Sequence, residues 1–291
     1  MKKKIGFSIL AVFLLAVACI VYVVRVPDLT IYFDSGKGNA FTMQTKTGVI
    51  KKIKLPGYDK VSFVTPFDGG YYCRAEKDGE DYFLLVQDGR VMGELPEPQH
   101  GGLYSVDMYA ADDGLYIIYL DDGKAFFADF ANEQITELPL SPSQHPNDLL
   151  AHGDTVLLER DDPENGMCIY RYKNKTLTEL AQGYMRVFLS ETQFLYQTKD
   201  YAWMLYDLTT GTSQPATQKV NFDLCTSMMG WQGAPAAANG WLAVWRAGIP
   251  AHEATALVSG VTVTNVNTGE SYWLPTLLGR HTGNLQAVSN A

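Results

Sequence analysis

The sequence predicts an all-β domain made of repeated four-stranded units, standing behind one apolar N-terminal helix. Three observations carry that expectation. Leu-Pro pairs recur at Leu55-Pro56, Leu95-Pro96 and Leu138-Pro139, with Leu180 at the equivalent place in the next unit, at intervals of 40, 43 and 42 residues; a further pair stands at Leu274-Pro275. Between them lie short segments of alternating apolar and aromatic residues bounded by Gly, Asp and Asn, which mark strands and hairpins rather than helices with a 3.6-residue period. Ahead of the repeats, Ile5 to Val24 forms an uncharged run of 20 residues.

That run comes first in chain order. Twenty helical residues at about 1.5 Å each span roughly 30 Å, the thickness of a bilayer core. Lys2, Lys3 and Lys4 precede it, which predicts the N-terminus in the cytoplasm and everything after residue 26 outside, periplasmic or extracellular. Residues 1–26 are therefore expected to be an uncleaved membrane anchor. Two weaker alternatives stand beside it: simple secretion, and lipidation at Cys19, because Ala16-Val17-Ala18-Cys19 is similar to a bacterial lipoprotein box. Against lipidation, apolar residues continue from Ile20 to Val24, where a mature lipoprotein turns polar.

Residues 27–291 form the repeat domain. The unit from 58 to 96 contains VSFVTP, GGYYCRAE, DYFLLVQ and RVMGELP, with turns rich in Gly and Asp between them. The following units repeat this pattern with LYSVDMYA, NDLLAHG and MRVFLS as their opening strands. Four strands in about 40–45 residues is the arithmetic of a β-propeller blade. The first unit has only three segments, LTIYFD, AFTMQTK and VIKKIKLP, and lacks an opening strand. The tail supplies one, GNLQAVSN, which predicts six blades in a ring closed by residues 284–289.

The chain resembles the β-propeller superfamily over about residues 28–291. LYDLTTG around Asp207 and NVNTGESYW ending at Trp273 are similar to hairpins of TolB-like and quinoprotein-like propellers, where an Asx residue and a Thr-Gly pair shape the turn. The resemblance identifies no single family, and it implies no catalytic residue.

Composition narrows the function. With 46% hydrophobic residues, wholesale disorder is excluded. Setting aside Lys2, Lys3, Lys4 and Arg25 leaves 19 basic against 32 acidic residues, a formal −13. Such a surface repels nucleic acid, which needs clustered Lys and Arg. Cys73, Cys168 and Cys225 sit in strand-like contexts without metal-ligand spacing and read as buried thiols. The chain has no GxSxG, P-loop, HExxH or GxGxxG motif on a strand-to-helix turn. Trp231, Trp241 and Trp245 with Met228 and Met229 are expected in the core, and the sequon at Asn174 carries no weight.

Function on a ring of blades sits in its loops. The turns between second and third strands and the links between blades should share one face, which collects Asp121, Asp161 and neighbours such as Asp78, Asp162 and Glu164. Hairpin turns favour Asp in any case; the functional alternative is a site for a cation or a basic partner. His100, His145 and His281 each precede an opening strand by a few residues, and His252 lies in the long insertion from 247 to 260 on that same face. Neutral imidazoles there could hold a transition metal or act as a general base, although loop histidines often have no such task. The sequence specifies no cofactor and no particular metal. The expected function is a membrane-anchored binding or scaffold module for a protein or small ligand, with a protein or glycan partner at the acidic loop face. The alternative is a carbohydrate-active hydrolase or lyase with its site at the propeller mouth.

Overall fold

The computed structural model describes residues 25–35, 39–98, 106–120, 123–216, 236–246, 259–276 and 285–290. Among these residues, six antiparallel four-stranded sheets form a six-bladed β-propeller. Blade 1 contains β1 (Leu29–Ser35), β2 (Asn39–Gln44) and β3 (Ile50–Lys52). Blade 2 is β4 (Lys60–Phe67), β5 (Gly70–Lys77), β6 (Glu80–Gln87) and β7 (Arg90–Pro96). Blade 3 is β8 (Val106–Ala111), β9 (Gly114–Tyr119), β10 (Lys124–Asp129) and β11 (Gln134–Glu137). Blade 4 is β12 (Asp148–His152), β13 (Thr155–Asp162), β14 (Gly166–Lys173) and β15 (Thr176–Gln182). Blade 5 is β16 (Tyr184–Ser190), β17 (Gln193–Gln197), β18 (Trp203–Asp207) and β19 (Thr212–Pro215). Blade 6 is β20 (Ala236–Ala238), β21 (Trp241–Arg246), β22 (Ser259–Asn265) and β23 (Ser271–Thr276).

The tail closes the ring. Strand β24 (Leu285–Ser289) lies against β1, with Leu285 opposite Phe33 and Ser289 opposite Leu29, and becomes the inner strand of blade 1. Asn290 fastens the seam: its side chain accepts from Thr30 Oγ1 at 2.8 Å and donates to Asp28 Oδ1 at 2.8 Å. Closure leaves no bare inner edge on which another chain could add a strand.

The core is annular, because every blade buries both faces against its neighbours. Strand β9, GLYIIY, is buried along its whole length. Its Leu115, Ile117 and Tyr119 join the cluster shared with blade 2, whereas Tyr116 and Ile118 join the one shared with blades 4 and 5. Separate clusters fill the seams between blades 1 and 2, 5 and 6, and 6 and 1. Trp241 packs on the last of these, as expected of a core aromatic. Cys73 and Cys168 are buried free thiols, and burial pushes the Cys73 thiol well above its ordinary range. The outer hairpins close as the sequence suggests: Asp207 Oδ1 accepts from the amides of Thr209 and Thr210, and Asn265 Oδ1 from those of Asn267 and Thr268.

Two carboxylates tie neighbouring blades at irregular strands. Strand β4 slips register between Ser62 and Thr65, and the Phe63 N–H donates to Asp34 Oδ2 of blade 1 at 2.9 Å. Strand β16 slips between Met185 and Val187, and the Met185 N–H donates to Glu159 Oε2 of blade 4 at 2.5 Å. Each carboxylate satisfies a backbone donor beside a bulge in the next blade's inner strand, so neither amide is buried unpaired.

Blade 4 hands the chain to blade 5 through Gly183 alone, at φ +142°. A Cβ there would stand 2.2 Å from the Gln197 carbonyl oxygen, a backbone atom that cannot step aside. Gly183→Ala is expected to destabilise the protein by about 2–4 kcal/mol, read as a lower urea midpoint at unchanged m-value. A shift below about 0.5 kcal/mol would show that the strand tolerates the substitution.

No helix among the described residues is long and apolar enough to cross a membrane. Of the expected anchor, residues 1–26, residues 1–24 lie outside the described residues, as do His100, Asp121, Cys225, Trp231, His252 and His281.

Candidate functional site at the mouth of the channel

Alternation of chain direction sorts the loops between two ends. Inner strands run toward the end that carries the turns between first and second strands. Links between blades and turns between second and third strands gather at the other end. The structure places His145 and Asp161 at that second end. His145 is half-buried after a short 3-10 turn (Pro142–Gln144) and packs near Gly123, where an added Cβ would meet its own Cβ at 3.2 Å. Asp161 is exposed near the tip of the β13–β14 hairpin. Among the described residues, no group of three His, Cys, Asp or Glu side chains is placed to hold a metal ion.

A cavity of about 1350 Å³ opens at the first end instead. Its rim is built from equivalent turns on successive blades: Phe67–Gly70, Ala111–Gly114, His152–Thr155, Ser190–Gln193 and Ala238–Trp241, with Ser289 completing the circle. Neighbouring turns touch. The Asp112 N–H donates to the Gly153 carbonyl at 2.9 Å. A Cβ on Gly153 would lie 3.9 Å from Glu191 Cγ, and Asn239 Nδ2 reaches Ser289 Oγ at 3.4 Å.

The chemistry of the lining is lopsided. Among the described residues it carries the carboxylates Asp68, Asp112 and Glu191, and neither lysine nor arginine. His152, also in the lining, stands 5.7 Å from the Phe188 ring between centroids. Burial holds its imidazole below the ordinary histidine range, opposed by the charges of Glu191 and Asp112 on the flanking blades. At neutral pH it is therefore uncharged, and among the described residues no cationic side chain lines the rim. Aromatic rings line the walls: Tyr32 and Tyr71 lie 6.2 Å apart, and Phe67 tilts against Tyr72 at 4.7 Å.

Away from the rim, acidic groups cluster where blades 3, 4 and 5 meet. Asp148 is four residues before His152 on β12, about 13 Å deeper at strand rise. It pairs in register with Glu159 and senses Asp107 from blade 3 and Arg186 from blade 5. Burial raises the carboxyl of Asp148 to about 8, helped by the charges of Asp107 and Glu159. Burial likewise raises Asp107 to about 6 and Glu159 to about 7. The charge of Arg186 opposes the rise of Asp148 and Glu159, while its guanidinium donates to Gln197 Oε1 and to the Met185 carbonyl at 3.2 Å each.

Compared with known proteins, the chain matches no family model and no curated protein. Solved structures do resemble it. One is a chain of the nidogen/laminin complex, 9% identical with a TM-score of 0.58, covering 89% of this chain and 98% of that one. Others are a protein of unknown function from Bacteroides caccae (11% identical, TM-score 0.48, 90% and 98% covered) and apo AztD from Citrobacter koseri (10%, 0.43, 91% and 98%). At 9% identity the first likeness is one of fold, the closed ring of blades.

Proposed function

We propose that this six-bladed propeller is a membrane-anchored, extracytoplasmic binding module that takes its ligand or partner into the cavity at the channel mouth. The carrying observation is the cavity itself: about 1350 Å³, framed by turns from successive blades of a closed ring. Ligand sites are typically concave, about 300–1,000 Å³, and apolar with a few placed polar groups. A rigid ring supplies such a site without moving parts.

The anchor reading rests on Ile5 to Val24 and the three lysines before it. It also fixes an orientation. Val26 is already 2% exposed in the core between blades 1 and 6, and β1 starts at the mouth end of the ring. A span ending at Val24 would hold the mouth toward the bilayer on a tether of very few residues.

Both parts are testable on the full chain. For the anchor, the protein is expected to stay with membranes through carbonate extraction, and deletion of residues 2–24 should release it; release of the intact chain would sink the anchor. For the site, thermal melts of the detergent-purified full chain are run with a panel of amines, sugars and amino acids. At least one class should raise the melting temperature by 2 °C or more, and Thr192→Trp, which fills the cavity from an exposed turn, should abolish the rise. If no class acts, or if the filled variant responds equally, the mouth is not the site.

A further inference from the structure

We infer that the outer edge of blades 1 and 2, at the mouth end beside the root of the anchor, is a docking surface for an anionic lipid bilayer, onto which the ring leans. This rests on the anchor reading and adds how the tethered ring sits. The first observation is a junction. Thr45 opens the turn between β2 and β3 and is tied to the first residues after the apolar run. Its N–H donates to the Leu29 carbonyl at 3.0 Å, and its hydroxyl accepts from the Leu29 N–H at 2.9 Å and donates to the Pro27 carbonyl. Wherever Val24 leaves a bilayer, the turn at residues 46–49 is therefore held close to that point.

The second observation is what this edge exposes. Val49 at 45% and Met92 at 61% are two of the four exposed large apolar side chains among the described residues, and they stand on adjacent blades. Val86 pairs with Val91 and Leu85 with Gly93, which leaves Met92 as the extra residue of a bulge in β7; a bulge re-aims its side chain. Around the two stand the exposed Arg25, Lys46, Lys51, Lys52 and Arg90, none of them in an ion pair among the described residues. Asp28 and Asp88 are the exposed acids between them, and Glu94, further along β7, is engaged by Tyr58 and Lys77. Five cations against two acids reverse the sign of an otherwise acidic domain. At a strand rise of about 3.3 Å, Lys51 and Lys52 stand roughly 7 and 10 Å from Val49, within about a Debye length of any surface that Val49 touches. Apolar side chains that enter the acyl boundary, ringed by cations drawn to anionic headgroups, are what binds a protein to a bilayer surface. An acidic soluble partner would use the charges but not their place beside the span. Asp68, Asp112 and Glu191 line the inner rim; anionic headgroups repel them, so the mouth tips open as blades 1 and 2 come down.

The test puts a fluorescent label on the full chain at Val49→Cys or, on the opposite blade 4, at the exposed Thr176→Cys. Cys19 and Cys225 are replaced by Ala, and Cys73 and Cys168 are buried. The chain is inserted in nanodiscs of phosphatidylcholine and phosphatidylglycerol that carry a spin-labelled lipid as quencher. The label at 49 should be quenched about threefold more than the label at 176. Discs of phosphatidylcholine alone, or Lys46→Gln, Lys51→Gln and Lys52→Gln together, should remove about half of that difference or more, with the melting temperature unchanged. Equal quenching at both positions would mean that the ring lies flat on its mouth. Quenching at neither, in a chain still held by the disc, would hand the cationic edge to an acidic soluble partner. Either result overturns the inference and leaves the anchor standing. A difference indifferent to phosphatidylglycerol and to the three lysines would reduce the effect to a short tether and overturn it too. A chain that fails to enter the discs removes the anchor reading and this inference together.

Discussion

Deleting residues 284–291 should abolish cooperative folding. The deletion removes β24, whose five register pairs with β1 close the ring, together with Leu285 and Ala287 from the core between blades 1 and 6. It also cuts the Asn290 bonds to Thr30 and Asp28. The loss is comparable with the whole stability of an ordinary domain, roughly 5–15 kcal/mol. A truncated chain should show a broad, low-amplitude melt and form aggregates through the bared β1 edge. Leu285→Ala is the milder form; at 2% exposure it should cost about 2–4 kcal/mol. Adding a peptide of residues 284–291 to the truncated chain should recover part of the cooperative transition by strand addition. A sharp melt near the intact value after truncation would mean that blade 1 is stable with three strands.

Stability should rise, not fall, as the pH drops from 8.5 to 5.5. Asp148 is held at about 8, Asp34 and Glu159 at about 7 and Asp107 at about 6, all above the 3.9–4.3 or so expected of an unfolded carboxyl. A folded pKa above the unfolded one contributes stability that is complete below the unfolded value and is lost as pH rises through the folded one. The window therefore runs from about pH 4 to about pH 8. His152 works in the opposite sense: its folded pKa lies below the ordinary value, so it trims part of the gain below pH 6.5. Asp148 meets Asp107 from blade 3, Glu159 from its own blade and Arg186 from blade 5, and its Oδ1 accepts from the Leu149 N–H at 2.7 Å. Asn preserves that acceptor. Asp148→Asn should accordingly raise stability at pH 8.5 by about 1–2 kcal/mol and flatten the profile. Urea midpoints across the range check it; a wild-type midpoint that increases with pH would mean these carboxylates ionise freely in the folded ring.

The ring was legible because its cause is local and repeated. Each Leu that ends a unit buries against the next blade, and each Asx turn binds its own amides, so the period of 40–43 residues survives in the sequence. Leu285 and Ala287 were legible for a related reason: a unit with three strands needs a fourth, and the tail alternates like the other opening strands. The mouth was not legible. Asp68, the pair Asp112-Asp113 and Glu191 each stand in a short turn, where such residues belong for backbone reasons. Only superposing the first turn of every unit shows that they encircle one space. His152, near the end of NDLLAHG, reads as part of an opening strand, whereas His100, His145 and His281 stand in sequence stretches that precede opening strands and His252 in the long insertion from 247 to 260. Asp107, Asp148 and Glu159 occupy polar positions in alternating strands, which ordinarily face water. In a propeller those positions face a neighbouring blade or the narrow channel, and the sequence carries no mark of that enclosure.

The seam between β1 and β24 also sets a clock. Thr30 and Asn290 are 260 residues apart, and at synthesis rates of about 5–20 residues per second the first waits roughly 13–50 s for the second. Through that interval blade 1 has neither its inner strand nor its contact with blade 6, while blades 2 to 5 can already stack. Assembly must therefore run from the middle of the chain outward and finish at its two ends. A nascent chain stalled short of residue 285 would present β1 as an open template, making blade 1 the place where a failed molecule first captures another copy.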